Sequence, residues 1–356
     1  MEKIDVLRRQ IDEIDDKVLE LLSRRGEIAQ KIGEEKTKSR LPNFHSPSRE
    51  LKIFQRLFER NQGPYPDDAI RDIFREIFSA TLSLEKPLRV AFLGPEATFT
   101  HLAGQKKFGK SAQFFPRKSI TDIFSEVERN NVEYGIVPIE NSVEGVVGHT
   151  LDLLVNSSLC IIAEISLEVS LHLLTSHGDM AKIKKICSHP HGLAQCRGWL
   201  EKNLPHATLE HHESTAAAAQ SAQKDETVAA VANEIAAELY QLKITASKIQ
   251  DLSHSVTRFV VISPQGVEKS GKDKTSLVFS VSDKPGSLLE CLKILADKDI
   301  NMTKIESRPA KKKAWEYIFF VDIDGHQEDE VVGAALAEIR KSCAFLKVLG
   351  SYPKDV

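Results

Sequence analysis

The sequence has no long apolar run and little net charge. No stretch of apolar residues approaches the 18 that a membrane helix needs, so we expect no membrane span. The chain carries 48 basic and 51 acidic residues, a formal net charge of −3, and lacks the concentrated positive field of a nucleic-acid binder. The first 15 residues are charged and helical in pattern, without the apolar core of a secretory signal.

Cysteine and metal-binding patterns are also scarce. The five cysteines are an odd number and no CxxC pair occurs, so neither a disulfide framework nor a cysteine zinc site is predicted. No HExxH motif or clustered ligand spacing appears, and no GxGxxG follows a strand, which argues against a dinucleotide-dependent dehydrogenase. We expect no metal, no cofactor and a cytoplasmic location. The cysteines are Cys160, Cys187, Cys196, Cys291 and Cys343.

Three regions with different periodicity make up the 356 residues, a length that suits two or three domains. Residues 1–86 read as helices only. Residues 88–266 alternate short β-rich runs with helical stretches. A polar segment, Gly266–Lys274, reads as a linker, and residues 274–353 follow a β-α-β-β-α-β pattern.

An amphipathic helix is predicted over residues 2–39, because apolar residues recur there at spacings of three and four. Such a helix would be roughly 55 Å long, whereas a compact domain of this size has a radius of gyration of about 12 Å. We therefore expect the stripe to pack against a second copy in an intertwined dimer. A coiled-coil stalk without chemistry is the alternative. The stripe comprises Ile4, Leu7, Ile11, Ile14, Val18, Leu21, Ile28 and Ile32.

Cations interrupt this stripe. Arg25 fills a gap in it, and Lys36 lies on the same face to within about 20°. Two cations on an apolar face are costly unless they meet anions. Arg8 lies about 100° away around the helix, so we expect it to serve the pocket of the partner chain.

Two further helices carry polar groups toward the same core. The second is predicted to begin at Ser46-Pro47, a capping residue followed by proline, with Arg49 and Glu50 in its first turn. The third places Thr81 and Glu85 on its apolar stripe. Each could be a surface side chain, but a set of such residues on core-facing lines favours a binding site.

The segments LRRQIDEIDDKVLELLSRR, KIGEEK and SRELKIFQRL resemble the all-helical chorismate mutases over about 85 residues. The resemblance implies that Lys36 and Glu85 face the ether oxygen of chorismate, that Glu50 meets its hydroxyl and that Thr81 supports a carboxylate. A pericyclic rearrangement needs a restrained conformer and stabilised charge on the breaking C–O oxygen, not a nucleophile. The implied substrate-binding residues are Arg8 (of the partner subunit), Arg25, Lys36, Arg49, Glu50, Thr81 and Glu85.

The central region repeats a strand–turn–helix pattern with hydroxyl and amide groups at the turns. Ligands of α/β folds bind where strands end and helices begin, so we expect two α/β lobes around a cleft. Simple helix capping is the alternative for several of these residues. The turn residues are Thr98, Glu140, Asn141, Ser142, Ser188, His189, Ser214 and Thr215.

The motifs GPEATFTHLA, PIENSVEG, SHPHGLAQC, STAAAA and TRFVV resemble prephenate dehydratases over nearly 180 residues. The resemblance implies two lobes like those of a periplasmic binding protein, with the turn residues lining the cleft. It places Thr257 closest to the chemistry, with Arg258 and Phe259 shaping the site. Members often have Gln at His191 and Gly at Ala97. Loss of hydroxide and CO2 from prephenate needs a proton donor and a poorly solvated carboxylate; Thr257 could donate or only orient.

The C-terminal pattern predicts a ferredoxin-like α+β sandwich. It resembles ACT regulatory domains, which usually pair side by side, so dimerisation is again expected. Two segments match phenylalanine-binding motifs of that family. They are Gly286, Ser287, Leu288 and Leu289, and Glu306, Ser307, Arg308 and Pro309.

These resemblances together imply an enzyme that converts chorismate to prephenate and prephenate to phenylpyruvate, with feedback inhibition by L-phenylalanine. We expect a homodimer or higher homo-oligomer, with no nucleic-acid or membrane partner. A non-catalytic amino-acid sensor is a second interpretation, which the intact TRF, ENS and SHP motifs disfavour. A dehydratase whose helical region only dimerises is a third.

Overall fold

The computed structural model describes residues 2–39, 45, 47–252, 255–309 and 317–354. Ser46, the predicted cap of the second helix, lies outside these residues. The chain divides into two compact units, one of residues 1–89 with 105–113, the other of residues 90–104 with 114–356.

The first unit is built on three helices, α1 (Glu2–Lys38), α2 (Pro47–Arg60) and α3 (Asp67–Glu85). Helix α3 lies along the C-terminal half of α1, where Gly26 and Gly33 permit close approach: an added Cβ would lie 3.2 Å from Leu84 and 3.1 Å from Glu85. The bounds of α1 agree to within one residue with the helix predicted over residues 2–39.

The predicted apolar stripe of α1 is largely uncovered within one chain. Its eight members, from Ile4 to Ile32, are between 42% and 64% exposed. A row of exposed Ile, Leu and Val on one helix is typical of a surface that another protein covers. No helix among the described residues combines the length and apolarity that a membrane crossing requires.

The remaining elements alternate strands and helices before ending in a second α+β pattern. The strands are β1 (Arg89–Leu93), β2 (Gln113–Arg117), β3 (Tyr134–Asn141), β4 (Gly145–Val146), β5 (Cys160–Glu168), β6 (His172–Thr175), β7 (Lys185–Ser188), β8 (Thr208–His211), β9 (Val228–Ala232), β10 (Lys243–Ala246), β11 (Val256–Ser263), β12 (Asp273–Ser280), β13 (Met302–Pro309), β14 (Tyr317–Asp324) and β15 (Phe345–Pro353). The helices are α4 (Phe99–Phe108), α5 (Ile120–Glu128), α6 (Gly148–Asn156), α7 (Pro190–Gln195), α8 (Arg197–Asn203), α9 (Thr215–Lys224), α10 (Glu234–Leu239), α11 (Ser287–Asp297) and α12 (Glu330–Ser342), with a 3-10 turn at Met180–Lys182.

Two sheets form the predicted pair of α/β lobes. The first has the order β2-β1-β3-β11-β5, with β4 paired to β3, and the second the order β10-β6-β9-β7-β8. The chain passes from the first to the second after β5 and returns before β11. Strand β9, whose sequence is VAAVA, is buried along its whole length, as expected for a strand covered on both faces.

The third sheet is antiparallel in the order β13-β14-β12-β15. Helices α11 and α12 cover one face around a core that includes Leu277, Phe279 and Val321. The β-α-β-β-α-β prediction is confirmed. The predicted linker is shorter than expected, because β12 already begins at Asp273, whose carboxylate accepts hydrogen bonds from the Ser270 and Gly271 amides.

The other face of the third sheet packs on the first lobe. Val278 and Tyr352 share one buried cluster with Ile161 and Val260. Gly350 of β15 lies against β5 so closely that a Cβ would collide with the Ile161 carbonyl. The C-terminal domain therefore shares a core with the lobe that carries β11, although the sequence suggests a separate module.

Candidate functional site

The structure brings together four of the polar residues predicted for the helical region. The Arg25 guanidinium donates to the Thr81 hydroxyl and to the Ile77 carbonyl, the latter at 3.4 Å. Lys36 Nζ lies 2.7 Å from Glu85 Oε2, with both side chains largely buried. Residues from α1 and α3 thus form one charged group, which we call the helical site.

Burial lowers the pKa of Arg25, Glu85 opposes this effect, and the charge of Arg49 adds to it. Arg49, in the first turn of α2, is therefore close enough for its charge to affect the guanidinium of Arg25. Cations held near each other and away from water are stabilised by a ligand with two negative charges. The helical site suits a dicarboxylate.

Glu50 does not join this group. Its Oε1 lies 3.0 Å from His45 Nε2, at a cavity of about 60 Å³ in the first unit. Burial favours the neutral acid, but His45, Lys107 and Arg75 outweigh it and hold the pKa of Glu50 below its usual value. The Glu50 carboxylate is thus bonded to His45, with the charges of Lys107 and Arg75 nearby.

Arg8 is far from the helical site of its own chain. Its guanidinium lies 3.5 Å from Asp5 and is 73% exposed. The distance along α1 from Arg8 to Arg25 is about 25 Å at the helical rise per residue. This placement agrees with the prediction that Arg8 acts in another chain's site, and it does not test it.

In the two-lobed region, β11 and β3 bring Thr257 and Asn141 side by side. Asn141 Nδ2 donates to Thr257 Oγ1 at 2.8 Å and contacts Ser255 Oγ at 3.3 Å. Ser142 joins them, because its hydroxyl accepts from the Val256 amide at 2.9 Å. These residues form what we call the cleft site.

The orientation of the Asn141 amide is fixed by its own turn. Its Oδ1 accepts from the backbone amides of Val143 and Glu144 at 2.9 and 3.1 Å. The NH2 group must therefore point to Thr257, whose oxygen is the acceptor. The Thr257 hydroxyl proton is left free to donate to another group.

Residues of the second lobe show the capping role that the sequence left open. Ser214 accepts from the Ala217 amide at 3.0 Å, and His189 caps α7 by accepting from the His191 amide at 3.3 Å. Ser188 is fully buried and donates to the Val231 carbonyl.

In the first lobe Thr98 donates to the Leu93 carbonyl. Most of these hydroxyls hold the turns in place; Thr215 begins α9.

Polar contacts bridge the lobes at two places. Glu144 pairs with His191 and accepts from Gln195 at 3.3 Å. Asn233 Nδ2 donates to the Ala97 carbonyl at 2.9 Å. Ala97 has φ of 63°, a left-handed conformation that explains why Gly suits this position.

Arg258 and Phe259 lie apart from the cleft site. Phe259 is 1% exposed, in the core. Arg258 Nη2 lies 2.8 Å from Asp322 of β14, and its Nε 3.8 Å from Glu164. Although burial opposes it, Asp322, Tyr352 and Glu164 raise the pKa of Arg258. Successive side chains of a strand point to opposite faces of the sheet, so Thr257 and Arg258 cannot both face the cleft. The separation of these two residues can therefore be predicted from the sequence.

The two C-terminal motifs lie near the same end of the third sheet. Strand β12 ends at Ser280, shortly before the first motif, and Ser280 and Arg308 of the second motif are both in register with Ile318. Gly286 has φ of 89° and opens α11, which an L-residue would strain. The Ser287 hydroxyl lies 3.3 Å from that of Ser282. Leu289 and Ser307 are exposed, as are Pro309 and, partly, Leu288 and Glu306.

One group among the described residues has ligand-type side chains close enough to share a metal ion: Cys187, Glu210 and His212. Burial raises the pKa of the Cys187 thiol to about 11, and Glu210 is paired with Lys185 at 3.3 Å. A protonated thiol beside an ion pair is not a preformed metal site.

Fold and site together define a multidomain enzyme with a helical catalytic region, a two-lobed catalytic region and an ACT domain. The profile named Chorismate mutase type II matches residues 7–86, that of Prephenate dehydratase matches 90–266, and that of the ACT domain matches 275–341. The chain belongs to the family of bifunctional chorismate mutase/prephenate dehydratases.

Full-length relatives and a solved structure agree with this assignment. The bifunctional chorismate mutase/prephenate dehydratase of Aquifex aeolicus is 49% identical over 99% of both chains, and that of Pseudomonas aeruginosa is 40% identical over 100% of this chain and 99% of its own. The structure of prephenate dehydratase from Arthrobacter aurescens in complex with L-Phe has a TM-score of 0.69 and 35% identity, covering 75% of this chain and 90% of that one.

Proposed function

We propose that the protein converts chorismate to prephenate at the helical site and prephenate to phenylpyruvate at the cleft site, in L-phenylalanine biosynthesis. The observation that carries the proposal is the presence of two chemically different polar groups: paired cations and carboxylates in one, amide and hydroxyl groups in the other. We further propose domain bounds of 1–86, 88–266 and 274–353, a cytoplasmic location, and no cofactor.

At the helical site, Arg25, Arg49 and Lys36 bind the two carboxylates and the ether oxygen of chorismate, and the partner's Arg8 completes the site. Thr81, held by Arg25, supports a carboxylate. Glu85 faces the ether oxygen together with Lys36, to which it is bonded. Charge that grows on this oxygen in the transition state is stabilised by donors fixed before the reaction.

Glu50 is proposed to meet the substrate hydroxyl, as the resemblance implies. Its carboxylate would have to turn from His45 toward the helical site for this contact. The exposed α1 stripe supports an intertwined homodimer, since packing a second copy on it would remove a long apolar surface from water.

At the cleft site, Thr257 donates a proton to the leaving hydroxyl of prephenate, which departs as water while the ring carboxylate departs as CO2, and solvent returns a proton to Thr257. The fixed Asn141 amide supports a donor role over a purely orienting one, because the amide donates to one lone pair of the Thr257 oxygen and leaves the hydroxyl proton available. The turn residues of both lobes form the cleft, either directly or by holding its turns in place. They are Glu140, Asn141, Ser142, Thr98, Ser188, His189, Ser214 and Thr215. Arg258 and Phe259 act from behind β11 rather than on substrate.

L-phenylalanine is proposed to bind at the two C-terminal motifs and to inhibit the cleft site. The ordered Gly286 turn and the exposed Ser307 leave backbone and hydroxyl groups accessible to an amino acid. The L-Phe in the Arthrobacter aurescens structure supports the ligand's identity.

The direct test is to incubate the purified chain with chorismate and to follow prephenate and phenylpyruvate, with and without phenylalanine. We expect phenylpyruvate to form and phenylalanine to slow its formation. Turnover of prephenate but not of chorismate would mean that the helical region only dimerises. No turnover of either substrate, with phenylalanine still bound, would identify a sensor.

A further inference from the structure

Strand β13, which carries the Glu306–Pro309 motif, turns two cations toward the dehydratase lobe. Lys304 pairs in register with Asp322, and Arg308 with Ile318. Asp322 is bonded to Arg258 of β11, which shows that this face of the sheet meets the first lobe. Alternate residues of a strand share a face, so Lys304 and Arg308 point to the lobe and Ser307 points away.

Lys304 reaches the turn that builds the cleft site. Its Nζ lies 2.5 Å from Glu140 Oε2, and the side chains are only 16% and 33% exposed. The next residue, Asn141, donates to Thr257. A charge from the C-terminal domain thus fixes the residue adjacent to the amide that orients the proposed proton donor.

Arg308 holds the helix that follows this turn. Its guanidinium donates to the Gly148 carbonyl and lies 3.4 Å from Asp152, both on α6. This contact requires the absence of a side chain at position 148: a Cβ on Gly148 would lie 2.9 Å from Arg308 Cζ, although the φ of Gly148 is not left-handed. The absence of a side chain at Gly148 is explained by the guanidinium, not by the backbone.

We propose that Lys304 is a positioning residue that the ACT domain supplies to the dehydratase cleft, and that Lys304 and Arg308 together couple β13 to the cleft. This inference rests on the proposed function. Among the strands that the structure describes, β13 lies at the edge of its sheet and pairs with β14. A ligand on the face of β13 that points away from the lobe can therefore shift this strand without disrupting a second ladder. Any shift changes the Lys304–Glu140 and Arg308–α6 contacts, and the coupling is reciprocal.

The positioning role is tested with Lys304→Met and Lys304→Arg in the full chain. Lys298→Met is the matched control, because Lys298 pairs at 3.2 Å with Glu338 inside the same domain. We expect Lys304→Met to lower dehydratase kcat/KM at least about fivefold, the lower range of coupling between sites. Lys304→Arg should restore most of the loss, and mutase constants should not change.

The coupling role is tested by the half-inhibitory concentration of phenylalanine. Gly148→Ala keeps Lys304 and Arg308 but displaces the guanidinium, and alanine is well tolerated in a helix. Gly148→Ala and Lys304→Met should both shift the half-inhibitory concentration at least about fivefold, in the same direction, because both weaken one interface. Thermal unfolding of each variant verifies that the fold is retained.

The wild-type chain in the same assays distinguishes a failure of this inference from a failure of the proposed function. If wild type is active and inhibited, but Lys304→Met and Gly148→Ala match it in every constant, the inference is wrong and the function stands. Opposite shifts in the two variants would also contradict it. If wild type neither turns over prephenate nor responds to phenylalanine, the proposed function fails and this inference fails with it.

Discussion

The helical site and the cleft site differ in the charge of the groups at their centres. The first concentrates charge: Arg25 and Lys36 meet Thr81 and Glu85, with the charge of Arg49 nearby. The second places neutral groups at its centre, where the Asn141 amide donates to the Thr257 hydroxyl. Charged groups near the cleft, such as Glu140, are engaged by side chains from elsewhere.

The difference follows from the two proposed reactions. A rearrangement of a dianion needs cations that fix both carboxylates and stabilise the breaking C–O bond. Loss of hydroxide and CO2 needs one donated proton, and a carboxylate that is not strongly solvated or paired. A cluster of fixed cations would hold that carboxylate back, so the neutral cleft site is the better environment for decarboxylation.

The largest expected effect is at the cleft site. Thr257→Ala should lower dehydratase kcat by about 100-fold or more, since a positioned proton donor contributes at least that much. Mutase activity should not change. Thr208→Ala is the control, because Thr208 is an exposed hydroxyl on a strand of the second lobe. Wild-type dehydratase turnover in Thr257→Ala would remove this residue from the mechanism.

A mixing experiment tests the proposed sharing of the helical site between chains. Arg8→Ala and Arg25→Ala should each be inactive as mutases. After subunit exchange, one site of each mixed dimer has both arginines, so mutase activity should recover to roughly one quarter of wild type. Exchange is verified with differently tagged chains; no recovery in exchanged dimers would place both arginines in one chain's site.

The charged character of the helical site predicts a pH dependence. A carboxylate cannot donate a hydrogen bond to the ether oxygen, whereas a carboxylic acid can, so mutase kcat/KM should fall as pH rises. Glu85→Gln, a permanent donor of similar size, should flatten this profile and keep activity at neutral pH. The measurement is kcat/KM for chorismate from about pH 5 to 9 in both proteins. Profiles of the same shape would show that Glu85 is not the ether-facing donor.

The smallest effect concerns the stability of the two-lobed region. Burial lowers the pKa of His101, although Glu96 opposes this, and its Nδ1 accepts from the Ala97 amide at 3.1 Å. The unfolded chain therefore binds the proton more readily, and stability is lost as pH falls below the ordinary histidine value of about 6.5.

His101→Asn keeps an acceptor and removes the titration. It should reduce the acid-induced loss of unfolding free energy. The remaining loss is expected from His172 and His189, whose pKa values burial also lowers. Denaturant unfolding at pH 7 and pH 5 provides the comparison. An equal loss in both proteins would mean that His101 is not involved.

The sequence predicted the helical site well because charge on an apolar stripe is a local signal. Arg25, Lys36, Thr81 and Glu85 stand out by helical spacing alone, and the structure brings them together. Glu50 does not stand out in the same way, since its contact with His45 depends on how the chain turns into α2.

The cleft and its supports were less accessible from the sequence. The motifs located Thr257 and Asn141, but their hydrogen bond joins strands 116 residues apart. Arg258 was expected at the cleft, whereas its side chain meets Asp322 in a core shared by two domains. Lys304 and Gly148 gave no signal, because their partners are set by tertiary packing.

The central claim is that one chain holds two chemically independent sites. Its most direct test gives chorismate to wild type, Arg25→Ala and Thr257→Ala and follows chorismate, prephenate and phenylpyruvate over time. Wild type should form phenylpyruvate, and Thr257→Ala should accumulate prephenate. Arg25→Ala should leave chorismate unchanged yet convert added prephenate. Loss of both activities through either substitution, in a chain that remains folded, would contradict the account.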